Sequence, residues 1–248
     1  MMDILNSLFR WIHVLAGIIW IGHLYFFNFV NISFQTTMDG ETKKKVNPEL
    51  LPRALFWFRW GAAFTWITGV FLLLLVYYHG KITLDSLTAW GPLQILMIVL
   101  VFVSPFIYDA LCKTVFKEIK VAFWGGWVLA SLFAIAMAYV GFTYRAYSIH
   151  VAGAFGTIMA YNVWFRIWPA QQKIINAVKN GEAPDASLVA LAGARSRHNT
   201  YMSVPLVYLM LNQHNVWNAN PSHVAIVILV GFALVYHLYD RAAKVKGF

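Results

Sequence analysis

The chain has 248 residues, of which 60% are apolar and 12% charged, with 19 Lys and Arg against 10 Asp and Glu. Soluble domains average about 45–50% apolar and about 25% charged residues, so a water-soluble fold of this size is excluded, and intrinsic disorder with it. Cys112 is the only cysteine, which rules out a disulfide-stapled scaffold and a CxxCH site for c-type haem within these residues.

A helix needs roughly 20 apolar residues to cross about 30 Å of hydrocarbon. Uncharged runs of that order extend from Trp11 to Met38, Trp60 to Gly80, Ser86 to Tyr108, Val121 to Tyr144 and Ala146 to Phe165. A longer run, His198 to Tyr239, is divided by the polar, Pro-containing segment Asn212 to His223, which reads as a loop. The first run is too long for a cleavable signal, and no small-residue cleavage site follows it. The expected fold is all-α: one integral membrane domain over 1–248, a polytopic bundle of seven transmembrane helices at about 8–34, 54–79, 88–111, 121–144, 147–168, 190–212 and 222–240. The sixth must begin upstream of Arg195 and Arg197 to be long enough. Between spans five and six, Ala170 to Ala186 carries apolar residues at near-helical spacing and then Gly and Pro, so a short interfacial helix and turn is expected.

Seven crossings put sixteen basic residues on one side (Lys43, Lys44, Lys45, Arg53, Arg59, Lys113, Lys117, Lys120, Arg166, Lys173, Lys179, Arg195, Arg197, Arg241, Lys244 and Lys246) and Arg10, Lys81 and Arg145 on the other. The positive-inside rule then predicts the N-terminus outside and the C-terminus in the cytoplasm. The basic balance is loop charge rather than a nucleic-acid surface, so the expected partner is the lipid bilayer and no nucleic acid.

Histidine carries the chemistry. His13 and His23 lie in the first span, His150 in the fifth, His198 in the sixth, and His223 and His237 bracket the seventh, with His79 and His214 at outer edges. Ionisable groups inside a membrane are costly and mark function, and neutral imidazole is an axial ligand for haem iron. Depth places His13, His150 and His223 in the outer half and His23, His198 and His237 in the inner half. His223 and His237 are separated by about 21 Å of helix and roughly 40° of rotation, which suits two stacked haems; His13 and His23, about 15 Å apart and roughly 80° off a common face, suit them less. The expected cofactor is haem b, one or two: an outer site from His13 opposed by His150, and an inner site from His23 with His237 or His198. The competing reading is that the histidines hydrogen-bond backbone carbonyls or face the membrane interface.

In RSRHNTYMS, Arg195, Arg197 and Asn199 are candidates for an anionic or heteroaromatic ligand, with Arg as a bidentate donor. Asn162 and Arg166 could close the same cavity from the fifth span. The alternative is interfacial anchoring by the arginines and a tryptophan belt. A retinal protein is excluded, because Val224 to Tyr239 contains no lysine for a Schiff base.

HVLAGIIWIGHLYFFNFVN (His13 to Asn31), RALFWFRWGAAFTWITG (Arg53 to Gly69), GAFGTIMAYNVWFRIWPAQ (Gly153 to Gln171) and RSRHNTYMSVPLVYLMLNQH (Arg195 to His214) together resemble the membrane domain of the bacterial cytochrome c-linked urate oxidase (urate hydroxylase) family. The HxxxxxxWxG pattern of His13 to Gly22 is also similar to haem-binding membrane proteins of the protoporphyrinogen oxidase type, which implies His13 as a haem ligand. The urate oxidase resemblance implies a bacterial cytoplasmic (inner) membrane protein acting on urate. That family adds an eighth span and a periplasmic cytochrome c domain, neither of which is found before Phe248. Turnover is therefore expected to need a separate c-type cytochrome or another membrane redox subunit. The functional expectation is a membrane redox protein, a b-type haem electron-transfer or oxidoreductase subunit; the alternative is a non-catalytic subunit of a larger complex with structural histidines.

Overall fold

A computed structural model of the chain describes residues 1–245, apart from the side chain of Asn218; Lys246 falls outside it. The described residues are helical with short connections. The elements are α1 (Met2–Thr37), α2 (Gly40–His79), α3 (Pro92–Thr114), α4 (Ile119–Tyr139), α5 (Tyr144–Asn162), α6 (Trp168–Asn180), α7 (Ala186–Leu211) and α8 (Ser222–Lys244). Three stretches widen to π-helix: Phe26–Asn31 within α1, Leu73–His79 at the end of α2, and Val163–Ile167 joining α5 to α6.

Helices α1, α2, α3, α4 and α8 are long and apolar enough to cross a membrane. Large apolar side chains on their outer faces, such as Phe106, Leu132 and Val230, are more than half exposed. Such a surface is unstable in water and neutral against acyl chains, so this is a multi-pass membrane protein in contact with the bilayer. Helices α5 and α7 do not reach the same apolarity. They are the interior of the bundle, with Ser148, His150, Asn162, Arg195, Asn199, Thr200 and Ser203 all buried on them. A helix surrounded by other helices can carry polar groups wherever it finds partners for them.

Two boundaries differ from the sequence expectation. The basic stretch before residue 54 is the first part of α2: Asp39 Oδ1 accepts the Thr42 N–H at 2.7 Å and caps the helix, which runs on through Pro48 and Pro52. The segment expected as a separate interfacial helix continues span five through the π-helical joint, ending at Gly181 in the left-handed conformation (φ 77°). Asp185 then caps α7 through the Ser187 N–H at 2.8 Å.

Helix α1 lies tightly on α2, with Trp20 and Leu24 against Leu55, Phe58 and Ala62 in the core. Gly61 permits this approach, since a Cβ there would stand 3.0 Å from the Trp20 backbone nitrogen. At one end of the bundle, Tyr239 donates to Asn28 Oδ1 at 2.8 Å and Asn28 to Ser196 Oγ at 2.8 Å, tying α8, α1 and α7 together. At the opposite end Leu84 and Phe142 form a single antiparallel bridge, Tyr77 bonds Gln213, and Arg145 meets His214.

Candidate functional site

The last turns of α3 read YDALCK (Tyr108 to Lys113). Spacing of four residues puts Tyr108 beside Cys112 on one side and Asp109 beside Lys113 on the next. Asp109 is 5% exposed and gathers three cations. Arg166 donates Nε to Oδ1 at 2.8 Å and Nη2 to Oδ2 at 2.5 Å, Arg195 donates Nη2 to Oδ1 at 2.7 Å, and Lys113 Nζ lies 2.9 Å from Oδ2. The π-helical joint carries Arg166. Arg195, on α7 and 3% exposed, also lays its guanidinium over the Tyr108 ring at 4.9 Å. A carboxylate this buried is stable only with such partners. One nitrogen of Arg195, Nη1, has no hydrogen-bond partner among the described residues.

A neutral network continues from this cluster. Asn199 donates to the Met159 carbonyl at 3.0 Å, and Asn162 donates to Asn199 Oδ1 at 2.8 Å and to the Tyr108 oxygen at 3.3 Å. The Tyr108 hydroxyl is hydrogen-bonded to His198 Nδ1 at 2.6 Å, and Cys112 Sγ lies 4.0 Å from the same nitrogen.

Two cavities meet at His198. The first, about 320 Å³, is basic, with Lys113, Lys117, Arg166 and Arg195 on its wall together with Cys112 and His198. The second, about 240 Å³, is apolar and lies among α3, α4, α5 and α7, lined by residues such as Ile107, Gly126, Leu129, Phe133 and Phe155, with Tyr108 and His198 at one place on its wall. Phe116 and His198 belong to both.

Of the residues expected to bind substrate, Arg195, Asn199 and Asn162 therefore come together. Arg197 does not: it projects from the exposed side of α7, its guanidinium 5.6 Å from the Tyr239 ring centre. Sequence alone does not single out Tyr108 and Asp109, because the apolar run ends where the charge begins. The Asp109–Lys113 spacing at a helix end is the signal that points to them.

The histidines are dispersed. His13 Nδ1 lies 2.9 Å from the Thr65 carbonyl and 3.2 Å from Thr68 Oγ1, and its ring packs on Gly69. His150 is fully buried with both nitrogens engaged, Nδ1 on the Ala146 carbonyl at 2.7 Å and Nε2 on the Tyr78 hydroxyl at 2.8 Å. His23 Nδ1 is bonded to the Ile19 carbonyl at 2.7 Å, and His237 is exposed on α8. Of these five, only His198 lines either cavity, and α4 presents an apolar wall in the cavity it faces. A metal-ligating histidine normally holds its second nitrogen on an acceptor, as His13 and His23 hold Nδ1 on main-chain carbonyls, whereas His150 has its Nε2 taken by the Tyr78 hydroxyl. Among the described residues no group of three or more His, Cys, Asp or Glu is placed to hold a metal ion.

Comparison with curated proteins and with solved structures returns no match. A family comparison does: urate oxidase N-terminal, over residues 40–246. The matched range contains both cavities and begins after His13 and His23. The chain belongs to the urate oxidase N-terminal family.

Proposed function

We propose that this chain is the membrane-embedded oxidising domain of a urate-type enzyme, binding a heteroaromatic anion in the basic cavity and passing its electrons to a c-type cytochrome or another membrane redox subunit. The observation that carries this reading is the excess of positive charge at that cavity. Lys113, Lys117, Arg166 and Arg195 face it, and the neighbouring carboxylate of Asp109 neutralises only one of them. Urate is a planar anion at neutral pH, and guanidinium groups suit planar, bidentate recognition.

Within this reading Arg195 and Lys113 bind the anion, Asp109 holds both at fixed positions, and Asn162 and Asn199 orient Tyr108. His198 stands between the cavities, hydrogen-bonded through Nδ1 to Tyr108, and its two ring nitrogens can relay a proton. The topology proposed with it has seven crossings, adding α5 and α7 to the five most apolar helices, with the N-terminus outside, the Lys-rich end in the cytoplasm, and the whole chain as one domain of a bacterial inner membrane. The basic cavity then opens on the cytoplasmic side. Haem b, expected from the depth of the histidines and from the pattern around His13, stands outside this reading of the basic cavity.

The second reading, a non-catalytic subunit with structural histidines, is favoured by the bonds that His13, His23 and His150 make to main-chain carbonyls. Equilibrium binding of urate to the purified protein in lipid nanodiscs separates the two. Saturable binding that weakens about tenfold in Arg195→Met, the loss of one charge-assisted pair, is expected; absence of binding would leave only the subunit reading.

A further inference from the structure

We propose that the apolar cavity is a binding site for a lipid-borne quinone, which takes up the two electrons removed from the substrate. The electron-transfer half rests on the oxidation proposed above; the binding half stands on the cavity itself.

Three features point to this ligand. First, the cavity opens sideways rather than toward water. Its α3 and α4 walls include Ile107 and Leu129, which are 45% and 49% exposed on the perimeter of the bundle. A ligand would therefore enter from the hydrocarbon, which selects a molecule that partitions into lipid. Second, the cavity is not uniformly apolar. Tyr108 and His198 sit together on its wall, the phenol oxygen 2.6 Å from His198 Nδ1, and a phenol or imidazole can donate to a ligand. An acyl chain offers such a donor nothing, whereas a ring carbonyl accepts from it. A lipophilic molecule with a carbonyl on a flat ring is a quinone. Third, the aromatic residues Phe123, Phe133 and Phe155 line the cavity and offer faces on which such a ring can stack.

The position also suits electron transfer, because His198 and Phe116 are all that the two cavities have in common. In the balanced step a water oxygen bonds to a carbon of the anion's ring, one water proton is released, and two electrons leave the ring. The quinone takes both electrons and two protons, one released by that water and one from the inner aqueous phase. It leaves as quinol, a carrier that any quinol-oxidising redox subunit can consume. His198 is the group placed to hand a proton to the quinone oxygen.

The test uses the full chain in phosphatidylcholine nanodiscs, titrated with decylubiquinone and followed by quenching of tryptophan fluorescence; Trp124 and Trp127 on α4 flank the cavity-lining Gly126. Saturable quenching is expected. Gly126→Leu should weaken it at least tenfold, since a Cβ at Gly126 meets nothing within 4 Å and the added side chain fills open space without disturbing the helix. Tyr108→Phe should weaken it two- to tenfold, one net hydrogen bond, while keeping the ring beneath Arg195. Linear, unsaturable quenching, or equal affinity in Gly126→Leu, overturns the proposal. So does a Soret band that disappears in His198→Ala, which would identify haem as the occupant, or a phospholipid retained in the cavity that decylubiquinone does not displace. Urate binding is measured on the same samples. Quinone binding without urate binding would sink the proposed function and leave this site intact, and the reverse result would do the opposite.

Discussion

Asp109 is the residue whose loss the structure weights most heavily. In Asp109→Asn the shape is kept and the charge removed, leaving Arg166, Arg195 and Lys113 without their shared counter-ion. Lys113 and Arg166 have side chains 66% and 27% exposed and can turn toward water. Arg195 cannot, with its side chain 4% exposed and its guanidinium held over the Tyr108 ring. Breaking a buried pair by removing one partner costs about 3–5 kcal/mol. The retained amide oxygen still accepts one bond, so a loss of about 3 kcal/mol is expected. Arg195→Met should cost less, because Asp109 keeps Arg166 and Lys113, and the double variant should fall close to Arg195→Met, since the uncompensated cation is gone. Thermal unfolding of all four proteins in one detergent, read by intrinsic fluorescence, gives the ranking. If Arg195→Met is the more damaging single change, or if Asp109→Asn is within about 1 kcal/mol of the parent, the carboxylate is not what holds the cluster.

Arg197→Ala should leave urate affinity within about twofold of the parent, because its guanidinium lies against Tyr239 and away from the basic cavity; a loss as large as that of Arg195→Met would relocate the site. His150→Ala should lower stability by about 2–4 kcal/mol, through a buried cavity and an orphaned Tyr78 hydroxyl, with no change in visible absorption; a lost haem spectrum would restore the ligand role. Gly61→Ala should cost about 1–3 kcal/mol by pushing α1 off α2, since the new Cβ meets backbone atoms on α1; an unchanged melting profile would mean the helices separate without penalty. A reporter fused after the last residue should be active only in the cytoplasm, and periplasmic activity would reverse the proposed orientation.

Spans were legible wherever lipid is the neighbour, because the requirement for an apolar surface acts on every residue of the run. Legibility failed where protein replaces lipid. Asp109 looked like the end of a span, since its partners Arg166 and Arg195 are 57 and 86 residues away and no local pattern announces them. The polar group Arg195, Asn199 and Asn162 could be read because charge and amide inside an apolar stretch demand company. Arg197, two residues from Arg195, lies on another face of the same helix, which neighbouring letters do not reveal. The histidines could be sorted onto helices by their place in the apolar runs, but depth says nothing about where a ring points. A histidine that bonds the carbonyl four residues back, as His23 and His150 do, satisfies itself without any ligand.

The three wide turns have a consequence for how this chain tolerates change in length. A π-helical turn holds an extra residue relative to the α-helix on either side of it. Deleting one residue from Val163–Ile167 would let the joint relax to ordinary α-helix, at little cost to the main chain. Because the wide turn already absorbs that residue, α6 would keep nearly its rotation relative to α5, whereas the same deletion in the α-helix on either side would turn everything beyond it by about 100°. In α6 such a turn would carry the buried Ile175 away from the bundle. The joint therefore works like slack in a line: a change of one residue in length is taken up there and nowhere else along the two helices. What a deletion in that stretch puts at stake is the reach of Arg166 to Asp109, and it should be far less damaging than a deletion one turn to either side.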